Sequence, residues 1–119
     1  SAADALDVEA ALSRAARALI VLEGGPGGRT PDDVAELPGA TAFRNAVDEG
    51  YARLAMLLRN GAAPPPPDFE AAVQQLDAAL AAGDEASRPR RRLLDWESDV
   101  LVEALSDANL LVDGWSAES

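Results

Sequence analysis

The sequence predicts an all-α fold, an up-and-down antiparallel bundle of four main helices plus one short helix. Four segments carry apolar residues at the spacing of an amphipathic helix, in which one face recurs about every 3.6 residues. Glycine- and proline-containing stretches separate these segments, and short connections favour antiparallel neighbours. No segment shows the period-two alternation of a strand rich in β-branched residues. We therefore expect residues 1–119 to form a single helical-bundle domain.

The first predicted helix runs from Asp4 to Glu23. The glycine-rich sequence at residues 24–28 ends it and predicts a loop. Such a run before a helix also suggests a phosphate-binding loop, but no strand precedes it, no Gly-Lys-Ser/Thr follows it, and Asp32 and Asp33 would repel a phosphate. We interpret the run as a linker. The apolar stripe of the helix consists of Val8, Ala11, Leu12, Ala15, Leu19 and Leu22.

A short and a long helix are predicted next. The short one begins in the sequence TPDD at residues 30–33, where the acids favour a helix N-terminus, and ends at Leu37. The long one is capped by Thr41, runs to Asn60 and is closed by Gly61. Its apolar face is predicted to contain Phe43, Val47, Gly50, Tyr51, Leu54, Leu57 and Leu58. The polar residues expected outside this face are Arg44, Asp48, Arg53 and Arg59.

The third main helix follows a proline-rich spacer. Residues 62–67 include four consecutive prolines, which favour an extended and semi-rigid connection. Asp68 is then placed to cap a helix from Phe69 to Ala82, which Gly83 ends. Only residues 84–86 separate it from the last helix, so these two helices should be antiparallel neighbours.

The last predicted helix is the longest, and we expect the others to pack around it. It starts at Ser87 and ends at Asp113 before Gly114. Its wide apolar face should contact helices from two sides, and Glu97 lies in the middle of that face. The apolar face comprises Leu93, Leu94, Val100, Leu101, Ala104, Leu105, Ala108, Leu111 and Val112. The opposite side comprises Asp95, Ser98, Asp99, Ser106, Asn109 and Asp113.

Composition excludes several classes of function. The formal charge of −11 disfavours unaided nucleic-acid binding and instead suits solubility or a basic partner. The absence of Cys and His removes disulfides, thiolate metal sites and the usual catalytic triads. No run of about 18 apolar residues is present to cross a membrane. The chain begins without Met, so we expect an excised domain, a processed protein or a tag remnant.

Carboxylates are the remaining candidates for catalysis. Glu97, Glu103 and Asp107, with acids from another helix, could hold a hard cation such as Mg²⁺. Helical nucleotide pyrophosphohydrolases use acids on facing helices in this way, but their pattern would require an acid at the position of Ala52. We therefore expect no enzyme, no metal and no cofactor.

Two interpretations of Glu97 remain open. It is either a core polar group, paired with Tyr51, Arg44 or Arg14, or the polar anchor of a small-molecule pocket. Gly50 would leave space for a neighbouring helix, for a ring or for a ligand, because it has no side chain. The candidate ligand-binding residues are Gly50, Tyr51, Trp96 and Glu97.

An arginine cluster is the second unusual feature. On an otherwise acidic chain, four arginines lie at a helix N-terminus, where positive charge opposes the helix dipole. Local pairing with neighbouring acids is one explanation, and a patch for anionic lipid or an acidic partner is the other. The candidate partner or membrane surface comprises Arg88, Arg90, Arg91, Arg92 and Trp115.

The order of elements from Thr41 to Trp115 resembles a known family. These elements are, in order, an Ala/Leu-rich helix, the spacer, the sequence FEAAVQQL at residues 69–76, the arginine cluster and a long Leu-rich helix. Their order is similar to that in the soluble helical region of fusaric-acid-resistance-type membrane transporters, the aromatic acid exporter group. The resemblance implies a cytosolic domain beside or between membrane spans.

We therefore expect a non-catalytic, cytoplasmic domain that serves assembly or interaction. Its partners would be another protein or a second copy of the chain, with membrane contact through a neighbouring segment and no nucleic acid. The alternatives are a free-standing acidic protein of the immunity or antitoxin type that neutralises a basic partner, and a small-molecule-binding bundle.

Overall fold

The computed structural model describes residues 2–23, 39–83, 85–86 and 88–118, excluding the side chains of residues 2, 3 and 116–118. Four helices occupy these ranges: α1 (Ala2–Leu22), α2 (Ala40–Asn60), α3 (Phe69–Ala81) and α4 (Arg88–Glu118). The predicted all-α fold is confirmed, while the predicted linker and short helix between α1 and α2 lie outside the described residues. Within the described ranges, no helix is both long and apolar enough to pass through a bilayer.

The four helices alternate in direction, as predicted. Gly39, just before α2, and Gly50 within it lie against Gln75 and Phe69 of α3 respectively, so these two helices run in opposite directions. Arg91 at the start of α4 reaches the carbonyl at the end of α3, which makes that pair antiparallel as well. Helix α1 is antiparallel to α4, because its middle pairs with the second half of α4 and its C-terminal end meets the first half.

Helix α4 is the centre of the bundle. It contacts α1, α2 and α3, whereas α1 contacts only α4 among the described helices. Fully or nearly fully buried residues recur on α1 and α4 at alternating intervals of three and four, the spacing of coiled-coil-like packing. On α1 they are Val8, Ala11, Ala15, Ala18 and Leu22. On α4 this series is Leu94, Ser98, Leu101, Leu105, Ala108 and Val112, and Ala104 and Asn109 are buried beside it.

The helix ends are partly as predicted. The Asp68 side chain accepts a hydrogen bond from the Ala71 amide at 3.0 Å, and Gly61 closes α2. The predicted cap at Thr41 is wrong, because Gly39 precedes α2 with φ +86° and no side chain caps it. Glycine suits this position for two reasons: the backbone is left-handed, and a Cβ would lie 3.0 Å from the carbonyl carbon of Gln75.

The predicted end of α4 at Gly114 is also wrong. The helix continues to Glu118, four residues further. No atom lies within 4 Å of the position that a Gly114 Cβ would take, so this glycine is on an open side of the helix. Val112 and Trp115 still pack against the core at this point, and their burial favours continuation of the helix over the glycine stop.

The buried face of α4 is rotated from the predicted one. Ser98 and Asn109 were expected on the outer side, yet both are buried, whereas Leu93 is exposed and Glu97 is only half-buried. Burial is possible because both polar side chains are satisfied: the Ser98 hydroxyl donates to the Leu94 carbonyl at 2.6 Å, and the Asn109 amide donates to Leu105 and Gly50. The polar character of Ser98 and Asn109 therefore led to the wrong prediction of which side of α4 is buried.

Candidate functional site

A cleft of about 270 Å³ opens between α1 and α2. It exists because both helices pack on α4 and, among the described helices, do not contact each other. The C-terminal half of α3 and the first half of α4 form its floor. The apolar lining consists of Leu19, Leu22, Ala40, Phe43, Val47, Leu76, Leu80, Leu94 and Leu101.

The polar groups of the cleft come mainly from α2. Arg44, Asp48 and Tyr51 lie one turn apart and line one wall, and Glu23 lines the other side. Burial raises the pKa of the Tyr51 hydroxyl above its usual value, which keeps the phenol neutral at physiological pH. The Ser98 hydroxyl, on the floor, already donates to a helix carbonyl. The cleft can therefore accommodate a small, largely apolar molecule with a polar group at its rim.

The four predicted ligand-binding residues are not brought together around this cleft. Tyr51 lines it. Gly50 instead faces the core, where a Cβ would lie 2.7 Å from Leu105. Trp96 is 69% exposed, and Glu97 is half-buried and not part of the lining. The structure thus assigns these residues to different surroundings.

The arginine cluster makes contacts within the bundle. Arg91 donates to the Leu80 carbonyl at 2.6 Å, where a cation complements the C-terminal end of α3. Arg88 lies 3.5 Å from Glu85, one of the acids expected to pair locally. Arg92 is exposed, and Arg90 is half-buried. The fifth residue of the predicted partner surface, Trp115, is half-buried against the core, more than five helical turns from the cluster.

A buried arginine network was missed by sequence reasoning. Arg53 was expected outside the apolar face of α2, yet it is 7% exposed. Its guanidinium donates to the Pro64 carbonyl at 2.8 Å, to Asn109 at 3.1 Å and to Asp113 at 2.8 Å. It thereby fastens the proline-rich spacer to α2 and α4. Two sequence features could have indicated this network. Arg53 lies about one turn from Gly50, and the polar residues Asn109 and Asp113 lie near the end of α4.

A carboxylate cluster was also missed. Asp77 of α3 faces Asp95 and Asp99 of α4, and each can offer one oxygen within 4.8 Å of the others. That spacing would suit a hard cation, for which oxygen ligands are preferred. These are different residues from the acids considered in the sequence, because the cluster depends on which side of α3 meets α4.

Close packing of these acids changes their protonation. Burial, a hydrogen bond with Asp95 and the negative charges of Asp99 and Asp95 together raise the pKa of Asp77 to about 7, and burial is the largest cause. Burial and the charges of Asp95 and Glu103 also raise the pKa of Asp99. Protonation of Asp77 thus offsets part of the repulsion between α3 and α4.

Comparison with family models, curated sequences and solved structures found no match for this chain. The fold and the surfaces described above define an acidic all-α helical bundle with a central fourth helix.

Proposed function

We propose that this chain is a non-catalytic assembly domain and that it forms the cytosolic part of a membrane transporter. The observation that carries the proposal is the exposed surface at the start of α4, where Leu93 and Trp96 lie beside arginines on an otherwise acidic protein. A tryptophan that is 69% exposed is unusual on a surface that meets only water, and Trp and Arg are enriched at protein interfaces.

Two further features support an interaction role over catalysis. The sequence provides no His or Cys, so acid–base and nucleophilic chemistry would depend on carboxylates, hydroxyls and arginines. The resemblance of residues 41–115 to the soluble region of fusaric-acid-resistance-type transporters supplies the membrane context. In that context the acidic surface keeps the domain away from anionic lipid, while the apolar and basic surface on α4 contacts protein.

The proposal is tested on the native protein. An antibody raised against this chain is used to probe soluble and membrane fractions of the source cells, after a wash in about 0.5 M salt that screens surface charge. We expect a band well above 12.3 kDa that stays with the membranes, because the domain is continuous with membrane spans. A soluble band at 12.3 kDa would instead support a free-standing acidic binding protein.

A second candidate function is small-molecule binding, and the cleft between α1 and α2 is the observation that favours it. The probe is an apolar fluorescent dye titrated into the purified chain, with Val47→Trp filling the cleft and Leu58→Trp on an exposed side of α2 as the matched control. Saturable one-to-one binding that only Val47→Trp removes supports this function. Equal binding by both variants would mean that the dye binds elsewhere.

A further inference from the structure

The outer side of α4 carries a row of exposed residues at the spacing of a helix contact surface. Arg92, Trp96, Asp99 and Glu103 follow one another at intervals of four, three and four residues, and we refer to them as the outer stripe. The stripe lies opposite the buried residues that hold α4 in the bundle. Leu93, which is also exposed, lies beside Trp96 on the next turn. Helix α4 therefore has a second side with the pattern of a packing surface.

Charge is distributed unevenly along the outer stripe. Its N-terminal end is basic, at Arg92, and its C-terminal end is acidic, at Asp99 and Glu103. Within one chain the basic end is unfavourable, because positive charge near the start of a helix opposes the helix dipole. A second helix lying alongside in the opposite direction would bring opposite charges together at both ends of the stripe. It would place acids beside the basic end and arginines beside the acidic end.

We infer that two copies of this chain associate through the outer stripe, with their α4 helices antiparallel about a two-fold axis. The inference rests on the assembly function proposed above and specifies the partner. Trp96 and Asp99 are three residues apart, and Arg92 and Glu103 lie four residues beyond them on either side. One axis midway between Trp96 and Asp99 therefore pairs Arg92 of each copy with Glu103 of the other.

The same axis explains the position of the exposed tryptophan. Trp96 lies about one and a half residues, or roughly 2 Å along the helix, from the axis, so the two Trp96 rings meet near the centre of the contact, each beside Asp99 of the other copy. Burial of two aromatic rings at the centre, surrounded by ion pairs, is the arrangement of an interface hot spot. A parallel pair of helices would instead oppose arginine to arginine and acid to acid, so the charge pattern selects the antiparallel orientation.

The dimer is tested by light scattering on the purified chain across a range of concentrations, in low salt and in about 0.5 M salt. We expect a mass approaching twice 12.3 kDa in at least one of the two conditions, because added salt weakens the exposed ion pairs and also screens the repulsion between two chains of net charge −11. Arg92→Glu and Glu103→Arg should each raise the dimer dissociation constant about tenfold or more, since each change opposes like charges twice. The double variant, which exchanges the two charges, should restore association.

Matched controls and a second variant separate the interface from folding. Arg59→Glu and Glu70→Arg reverse exposed charges on α2 and α3 and should leave the dissociation constant unchanged. Trp96→Ser should weaken the dimer while helix content, measured by circular dichroism, stays the same. A monomer at all concentrations in both salt conditions overturns the dimer, as does a double variant that is folded but fails to recover association. Neither result affects the membrane-fraction test, which examines the proposed transporter context alone.

Discussion

Arg53 shows how a single charged side chain organises three parts of the molecule. Its guanidinium is almost completely buried, with acceptors on the spacer and on α4. A guanidinium presents donors in a fixed fork, so one residue can satisfy the Pro64 carbonyl, Asn109 and Asp113 at the same time. The Asn109 side-chain amide in turn donates to two backbone carbonyls, so both of its N–H groups are hydrogen-bonded. Removal of Arg53, the centre of this network, therefore leaves the buried Asn109 side-chain oxygen unpaired.

We predict that Arg53→Ala lowers the free energy of unfolding by about 3 kcal/mol, because it removes three hydrogen bonds and leaves a cavity beside Asn109. Urea denaturation followed by circular dichroism measures the change. Arg59→Ala is the matched control on the same helix, since the Arg59 side chain is exposed and makes one long hydrogen bond of 3.4 Å. We expect that control to change stability by less than about 0.5 kcal/mol. Equal effects of the two variants would contradict the network.

The Asp77 cluster makes stability depend on pH in a defined direction. The pKa of Asp77 is raised from 3.8 to about 7 in the folded chain, so between these values the folded state binds more protons than the unfolded state. The free energy of unfolding must then fall as pH rises through this interval. The pKa of Asp99 is shifted in the same direction and adds to the slope. Above about pH 7 this contribution is lost in full.

We predict that Asp77→Asn reduces this decline and makes the chain more stable than the parent at pH 7.5, by on the order of 1 kcal/mol, because the amide carries no charge. Urea denaturation at several values between pH 4 and pH 8 measures both effects. Asp7→Asn, at an exposed site on α1, is the control for general loss of negative charge. A pH dependence that is the same in the two variants would rule out Asp77 as its source.

At the scale of the elements, the sequence predicted the helices well, but it predicted only part of the faces through which they contact one another. Asp68 and Gly61 act through local hydrogen bonds, which is why the start of α3 and the end of α2 follow from sequence. Period alone could not choose between neighbouring faces of α4, since the buried side includes Ser98 and Asn109. Their burial depends on carbonyls and on an arginine supplied by the folded helices. The carboxylate cluster and the Arg53 network were unpredictable for the same reason.

Gly50 is a place where tertiary packing overrides helix propensity. A Cβ there would lie 2.7 Å from Leu105 and 2.8 Å from Phe69, both of which are buried. We predict that Gly50→Ala destabilises the chain by about 1 kcal/mol, because overpacking costs more than the gain in helix propensity. Gly114→Ala, within α4 and with open space around it, should stabilise by about 0.5 kcal/mol. Thermal or urea denaturation compares the two, and stabilisation by Gly50→Ala would contradict the close contact.

At the scale of the whole molecule, the bundle is built unequally around α4. Helices α2, α3 and α4 all contact one another, whereas α1 contacts α4 alone among the described helices. Three of the five buried residues that α1 contributes are alanines, which bury little apolar area. The small side chains allow α1 to lie close to α4, but their contribution to stability is correspondingly small. This arrangement divides the chain into a three-helix unit and an attached helix.

We predict from this division that α1 opens before the rest of the molecule unfolds. Hydrogen exchange measured by mass spectrometry in low concentrations of urea should show the amides of residues 8–18 exchanging at a lower free energy than those of residues 101–109. Ala16→Gly, at an exposed position of α1, should lower that opening free energy by about 1 kcal/mol and leave exchange in α4 unchanged. Ala78→Gly, at an exposed position of α3, should instead destabilise the three-helix unit. If both variants lowered protection equally in all four helices, the chain would be one cooperative unit, and contacts with α4 would hold α1 as firmly as the other helices.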